Sequence, residues 1–327
     1  MKFKKITIII LASLLLFTLK ANDTTGYQNR ADVIEFINMM QKKHGLNKDH
    51  LNNLFSEVTF QEKVIRIMNR QPEGTMTWSR YKSMMVTEER INSGRVFINN
   101  FNQDLKRAED IYGVPAKIIA SIIGIETKYG KITGNIRVLD ALSTLSFDYP
   151  RRAEFFKIQL EEFLLLTEEE DLDALKIKGS IAGAMGYGQF MPDSYRNYAV
   201  DFDFDGKRDI LNNPVDAIGS VANFLNKKGK WEPNTKVALK ANLKGDRPKL
   251  KSTFKPYITV SELKTLGLRP VDNLQSQLRV IPIELEMQEG YEYWLGLKNY
   301  QAISRYNRSK LYIMAVFEFS ESLAEFL

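Results

Sequence analysis

The 327-residue chain has no cysteine and only two histidines, His44 and His50. Without cysteine there is no disulfide, no thiolate nucleophile and no cysteine to carry a lipid. Both histidines sit in the polar run QKKHGLNKDHLNN, which argues against a Ser-His-Asp triad and a multi-histidine zinc site. Long apolar runs are scarce as well. Residues 6–19 are an uninterrupted stretch of 14 apolar or small residues, too short for a comfortable membrane span. Lys2, Lys4 and Lys5 precede it, so residues 1–21 are expected to be a secretory signal. Leu19-Lys20-Ala21 is an imperfect cleavage site, and an uncleaved anchor is the alternative. An excess of one charge is also lacking. Lys and Arg number 46 against 40 Asp and Glu, and removing residues 1–21 takes four lysines and no acid, leaving 42 against 40. That balance gives no electrostatic case for nucleic acid.

What is present is an ordinary globular composition, 44% hydrophobic and 26% charged, long enough for two or three modules. With thiol and imidazole chemistry set aside, a secreted enzyme built from this chain would work with carboxylates. One carboxylate stands out. Residues 113–130 read as a helix: Pro115 suits the first helical position, where a missing N–H costs nothing, and Gly130 suits a left-handed cap. Ile118, Ile119, Ile122 and Ile123 give it one strongly apolar face. Glu126 points off that stripe, where a lone carboxylate is costly unless protonated or paired. Burial and the negative end of the helix dipole should both raise its pKa. A carboxylic acid kept protonated near neutral pH is a general acid. The plainer alternative is an ion pair with Lys128 or a distant arginine.

Residues 27–70 read as short amphipathic helices, one marked by Val33, Phe36, Ile37 and Met40. Trp78 and Tyr81 are spaced to share a face, which suits core packing or a sugar cleft. Thr87 followed by Glu88 and Glu89 opens a long helix. After Pro150, Arg151 and Arg152 open another against the dipole, so an anion such as Glu126 or a substrate carboxylate is expected nearby, with plain surface charge as the alternative. The stretch GSIAGAMGYGQFMP lets backbone approach a ligand closely and lacks the Gly-Lys-Ser/Thr of a phosphate loop. Its Ser180, Tyr187 and Gln189 offer hydroxyl and amide groups suited to sugars. DFDFDGKRD places Asp201, Asp203 and Asp205 at positions 1, 3 and 5 of an EF-hand-like loop, with Gly206 at 6 and the Lys207 carbonyl at 7. The terminal Glu is missing: position 12 is Asn212, and Asp216 or Asp209 is the substitute candidate. An acidic turn that needs no ion is the alternative. Residues 233–290 alternate like strands in TKVALKANL and LRVIPIELEM, with ITVSELKTLG as a short helix between. Residues 291–327 are expected to be helical again.

ETKYG, LDALSTLSFDYPRRAEFF, GSIAGAMGYGQFMP and SRYN, in this order, closely resemble the membrane-bound lytic murein transglycosylase B family. The resemblance runs from about Trp78 to the C-terminus and is weakest in residues 233–285. It implies a mainly α (α+β) fold. A lysozyme-like catalytic core with a metal loop would span residues 113–232 and 201–216. A discontinuous helical α domain of residues 22–112 would be completed by 291–327, and a small β-containing domain inserted at 233–290. It implies cleavage of the β-1,4 bond between N-acetylmuramic acid and N-acetylglucosamine, with a 1,6-anhydro-muramic product. Glu126 matches the family's single catalytic acid/base, and Ser180 and Gln189 the lining of the cleavage site. Tyr81, Arg151, Arg152, Tyr187, Tyr306, Asn307 and Tyr312 match further cleft positions, and Asp201, Asp203, Asp205, Lys207 and Asp216 the metal loop. The implied ion is structural calcium, with sodium the alternative, and no catalytic cofactor is expected. The implied partner is the peptidoglycan glycan strand, with other cell-wall proteins besides. A monomer working in the periplasm is expected. The sequence departs from the pattern in three places: no lipid-bearing cysteine, Phe224 where the family has Tyr, and one extra residue before Asp216. Two rivals remain at this stage, a hydrolytic muramidase on the same fold and a non-catalytic calcium-stabilised peptidoglycan-binding protein.

Overall fold

The computed structural model describes residues 26–70 and 76–327; the expected signal at 1–21 lies outside the described residues. The chain divides after Glu57 into two units. In the first, a 3₁₀ turn Tyr27–Asn29 leads into α1 (Ala31–His44) and α2 (Lys48–Ser56). The apolar stripe of α1, Val33, Phe36, Ile37 and Met40, is buried, and Phe36 meets Phe55 of α2 edge to face at 6.0 Å. Gly45 ends α1 in the left-handed conformation and the Asn47 side chain caps α2.

The second unit begins with α3 (Glu62–Met68), α4 (Trp78–Met85), α5 (Glu88–Asn100) and α6 (Asn102–Tyr112). The sequence placed all of residues 22–112 in one helical domain; the division falls inside it. The reason is contact. α5 and α6 pack on α7 (Ala116–Thr127), and α3 packs on α8 (Val138–Phe147). The backbone N–H groups of Thr59 and Gln61 donate to Asp140 and Thr144 of α8.

α7 is the centre of this unit, packed against α5, α6, α11 (Pro214–Lys227) and α14 (Lys310–Leu323). Ile118, Ile119, Ile122 and Ile123 are all 2% exposed or less. Burying each such side chain contributes about 1.5–3 kcal/mol. A two-stranded ribbon, β1 (Ile136–Arg137) with β2 (Lys178–Gly179), ties the start of α8 to the start of the glycine stretch. Between them runs α9 (Ala153–Glu169), opened by the 3₁₀ turn Pro150–Arg152; α9 packs on α8 and on α10 (Pro192–Tyr198).

The small β part is a five-stranded antiparallel sheet of order β4-β6-β7-β3-β5. Its strands are β3 (Ala238–Leu243), β4 (Ile258–Thr259), β5 (Leu268–Pro270), β6 (Arg279–Glu286) and β7 (Tyr291–Gly296). Helix α12 (Val260–Leu263) follows β4 behind a Thr259 capping box. Leu239, Leu263, Leu268, Val280 and Leu295 form its own apolar cluster. β4 pairs only with Arg279 and Val280 of β6, so Pro282 lies beyond that pairing, where its missing N–H is tolerated. β7 falls in the region expected to be helical. Its YEYWLG alternates, with Tyr293 and Leu295 turned into the core, and a tight turn at Gly290 returns the chain against β6. The chain then forms α13 (Lys298–Ile303) and α14, which packs on α4, α5 and α7. No described helix is long and apolar enough to cross a membrane.

Candidate active site

Glu126 lies in the last turn of α7 and keeps a partly exposed edge. Burial pushes its carboxyl up from an ordinary 4.5 to about 7. The opposing influence is one hydrogen bond: the Tyr312 O–H of α14 donates to Glu126 Oε1 at 2.6 Å. Among the described residues Glu126 makes no ion pair, neither with Lys128, which pairs with Glu89, nor with Arg151 or Arg152. Among the described residues no second carboxylate bears on its proton affinity. Such a group is set to give up and retake one proton near neutral pH.

The helix starts one residue later, and its C-cap comes two residues earlier, than the sequence suggests. Pro115 is the N-cap rather than the first helical residue, and Lys128 takes the left-handed C-cap. Lys128, Tyr129 and Gly130 are three consecutive positive-φ residues. The first two are not glycine, so the backbone beside the carboxyl stores strain of about 1–3 kcal/mol per residue. Packing holds it: Tyr129 stacks on Phe97 of α5 at 4.9 Å. Gly130, at φ 82°, has to be glycine on a second count, because a Cβ there would stand 2.3 Å from the Tyr187 ring.

The glycine stretch docks on this strained corner. Thr127 Oγ1 donates to the Tyr187 carbonyl at 2.9 Å and accepts from Gly130 N–H. Ser180 Oγ accepts from Ala182 N–H and Ala184 N–H, closing the first turn. Gln189 adopts a left-handed φ of 50°, and its amide nitrogen donates to Thr133 and Gly186 carbonyls at 3.0 and 3.1 Å. The amide oxygen accepts nothing from the described residues.

Two tyrosines from the C-terminal segment close the arrangement. The Tyr306 O–H donates to the Gly188 carbonyl in a short hydrogen bond. A Cβ on Gly188 would stand 2.9 Å from that oxygen, so the contact requires glycine. Tyr306 and Tyr312 stack nearly parallel at 6.5 Å, and Glu126 pushes the pKa of both further up beyond what burial does. Tyr81 of α4 is buried and close enough to Tyr312 to raise its pKa too. Phe224, which stands where a tyrosine was expected, is buried against Phe190, Tyr198 and Tyr306. Asn307 is half-buried in the turn between α13 and α14. Arg151 and Arg152 are exposed, the latter 4.2 Å over the Phe155 ring.

The structure thus brings Tyr306 and Tyr312 to Glu126 and Tyr81 to Tyr312, and ties Tyr187 to the end of α7 and Gln189 to Thr133 beyond it. Thr127 and Tyr129 were not singled out from sequence; the unusual Lys-Tyr-Gly ending of an otherwise apolar helix was the available signal.

In the acidic loop, Asp201, Asp203 and Asp205 each present an oxygen within 4.8 Å of the others. The loop wraps these oxygens with its own N–H groups: Asp205 N–H donates to Asp201 and Asp203, and Gly206 N–H to Asp201. Lys207 N–H donates to Asp205. These three carboxylates fit a hard cation. Asp216 is not one of the cluster. It is fully buried, and its two oxygens accept from Phe202 and Asp209 N–H at 2.7 and 2.8 Å, which makes it a brace under the loop. Asp209 is likewise engaged by the N–H groups of Leu211 and Asn212.

Comparison with known proteins shows the family. The family model for the transglycosylase SLT domain matches residues 28–321. The membrane-bound lytic murein transglycosylase B of Escherichia coli (strain K12) is 42% identical over 307 residues, 91% of this chain and 84% of that one. A solved structure of the Escherichia coli lytic transglycosylase Slt35 in complex with calcium is 43% identical, with TM-score 0.84, covering 91% of this chain and 94% of that one. SltB3 from Pseudomonas aeruginosa, solved in complex with NAG-NAM-pentapeptide, is 29% identical with TM-score 0.79 over 89% of this chain and 78% of that one. With its lysozyme-like helical core and small β part, the chain belongs to the SLT-domain transglycosylases, in the family of membrane-bound lytic murein transglycosylase B, and is a lytic transglycosylase acting on peptidoglycan.

Proposed function

We propose that Glu126 is the single acid/base of a non-hydrolytic cleavage between N-acetylmuramic acid and N-acetylglucosamine. The observation that supports this most is the solitary carboxyl with a pKa of about 7, bonded by Tyr312 alone. A retaining or inverting hydrolase pairs its acid with a second carboxylate, and none bears on Glu126. Protonated Glu126 gives its proton to the glycosidic oxygen as the bond from that oxygen to muramoyl C1 breaks. The positive charge at C1 is carried as an oxocarbenium-like species or by the substrate's own acetamido oxygen. The carboxylate left on Glu126, stabilised by the Tyr312 hydrogen bond, takes the proton of the muramoyl C6 hydroxyl as O6 attacks C1. The acid is restored, no water is consumed, and the product is the 1,6-anhydro sugar. Attack by a hydroxyl already held in the same ring has a large proximity advantage over a free water. The Gln189 amide oxygen, with Ser180 beside it, orients the acetamido group. Tyr81, Arg151, Arg152, Tyr187, Tyr306, Asn307 and Tyr312 bind the strand.

The Asp201, Asp203 and Asp205 cluster with the Lys207 carbonyl holds calcium, and Asp216 braces the loop that carries them. The ion's role is structural. The charge pattern of residues 1–21 supports export and work in the periplasm. The deciding experiment is mass spectrometry of muropeptides released from purified peptidoglycan. Products about 18 Da lighter than hydrolytic ones mean intramolecular attack. Full-mass reducing products mean a muramidase and overturn the proposal.

A further inference from the structure

Thr127 stands between the two groups that the proposed reaction needs in register, the Glu126 carboxyl and the Gln189 amide. It is the last residue of α7, follows Glu126 directly and is 1% exposed. A threonine within a helix commonly returns its hydroxyl to the carbonyl four residues earlier, and the Ile123 carbonyl lies at 3.2 Å. The Tyr187 carbonyl, 60 residues away in the chain, is nearer at 2.9 Å. The same hydroxyl oxygen accepts the Gly130 N–H at 2.9 Å. One side chain therefore joins the end of α7, the left-handed corner behind it and the glycine stretch.

The turn that Thr127 grips is a closed unit. Met185 and Phe190 exchange both backbone hydrogen bonds at 2.9 Å, and inside that pair the Gln189 N–H donates to the Gly186 carbonyl at 3.1 Å. Two consecutive carbonyls of the turn are held from outside by hydroxyls, Tyr187 by Thr127 and Gly188 by Tyr306. Gln189 comes next, at a φ of 50°. A left-handed backbone at a residue other than glycine persists only where its surroundings over-determine it. Fixing the peptide groups that precede Gln189 does so. The Gln189 side chain then ends between the Gly186 carbonyl of its own turn and the Thr133 carbonyl of the chain leaving α7. The amide is thus placed by two segments, and the Thr127 hydroxyl ties those two together behind it.

We propose that Thr127 is a positioning residue: its hydroxyl sets the place of the Gln189 amide relative to the Glu126 carboxyl, and with it the fit of the sugar's acetamido group during cleavage. This rests on the role given to Gln189 above. Thr127 acts through Gln189 and leaves the proton carrier alone, because the Tyr312 hydrogen bond to Glu126 comes from the other side of the site, from α14. A threonine that only returned its hydroxyl to Ile123 would serve the stability of the helix end and nothing else.

The test is a double-mutant cycle in the full-length protein, read as muropeptide release from soluble glycan strands across pH and below each variant's melting temperature. Thr127→Val keeps the shape of the side chain and removes the hydroxyl; Thr127→Ser keeps the hydroxyl. Gln189→Asn tolerates the left-handed backbone and withdraws the amide. Thr127→Val should lower kcat about tenfold, the size of one lost buried hydrogen bond. KM and the limbs of the pH profile should stay in place, and Thr127→Ser should restore most of the rate. Gln189→Asn should also cost about tenfold. The double variant should be no slower than the slower single one, because both changes remove the same placement. The NMR signal of the Gln189 side-chain amide, assigned by its loss in Gln189→Asn, should move in Thr127→Val and stay put in Thr127→Ser. Should valine prevent folding, Thr127→Ala takes its place in the cycle. Losses that multiply to about a hundredfold in the double variant overturn the proposal and leave the role of Gln189 standing. A lower melting temperature with kcat and the amide signal unchanged overturns it in favour of a helix-end brace. A full rate in Gln189→Asn defeats the role of Gln189 itself, and the effect of Thr127 on cleavage falls with it.

Discussion

Two groups of carboxylates in this molecule are handled in opposite ways. Glu126 is solitary: one hydroxyl bonds one of its oxygens, and burial makes its ionised form costly. Asp201, Asp203 and Asp205 are crowded into a turn whose Asp205, Gly206 and Lys207 N–H groups point at their oxygens. N–H donors favour the anion and burial favours the acid. Asp216 falls between, buried so that its pKa rises, yet with both oxygens taken by N–H groups. On the function proposed above, the chain makes a proton carrier by withholding partners from a carboxyl, and a cation cradle by surrounding several with donors.

The sharpest way to break this contrast is Glu126→Gln. The amide keeps shape and packing and cannot carry the proton. Cleavage of peptidoglycan, followed as released muropeptides, should fall about a thousandfold, within the range for one general acid/base. Residual activity near the parent level would move the acid elsewhere.

The loop is tested next. Calcium at about a hundred times its Kd should stabilise the protein by about 2.7 kcal/mol. For a domain of this size that raises the melting temperature by about 5–10 °C. Asp203→Ala should remove the rise and leave the rate of cleavage under saturating substrate little changed. Identical melting in calcium and in chelator would make the loop a plain acidic turn.

Tyr312→Phe sharpens the Glu126 side. Its O–H favours the carboxylate, so its loss should push the Glu126 pKa above about 7 and carry the alkaline limb of the rate profile upward with it. The rate at neutral pH should drop about tenfold, since the carboxylate formed in the first step loses its donor; one hydrogen bond to a charged group is worth about 1.5–3 kcal/mol. A drop in rate with no movement of the limb would mean the tyrosine only packs.

How much of this was legible in advance follows from the range of the contacts. Glu126 stands out because a 3- and 4-residue apolar rhythm is local, and so is the DxDxDG head of the loop. The strands β3 and β6 are visible by alternation, whereas β7 is not separated from the helices after it, because its tyrosines and tryptophan suit either structure. Tyr312 lies 186 residues from Glu126, and no periodicity couples them. Tyr306 and Tyr312 could be assigned only through the resemblance of SRYN and its surroundings to a known family. The strain at Lys128 and Tyr129 is a property of tertiary packing against Phe97 and was not readable at all. Asp216 was legible only as an acid in about the right place for a ligand; that its two oxygens accept the Phe202 and Asp209 N–H groups is a matter of tertiary structure.

The smallest effect separates function from stability at Glu126 itself. Its folded pKa lies above its unfolded value, so the folded state holds the proton more tightly. Below the ordinary value of 4.5 both states are protonated and nothing is lost. As pH rises from there toward about 7, unfolding releases a proton and stability falls; above that the loss is complete and constant. The shift alone converts to about 3 kcal/mol at 1.36 kcal/mol per unit, an upper limit because the partly open edge lets water stabilise the anion. Glu126→Gln should therefore melt like the parent at acid pH and about 2 °C higher at pH 8. A parent at least as stable as the variant at pH 8 would show that the ionised carboxyl has a partner in solution, and the solitary acid on which the mechanism depends would be lost.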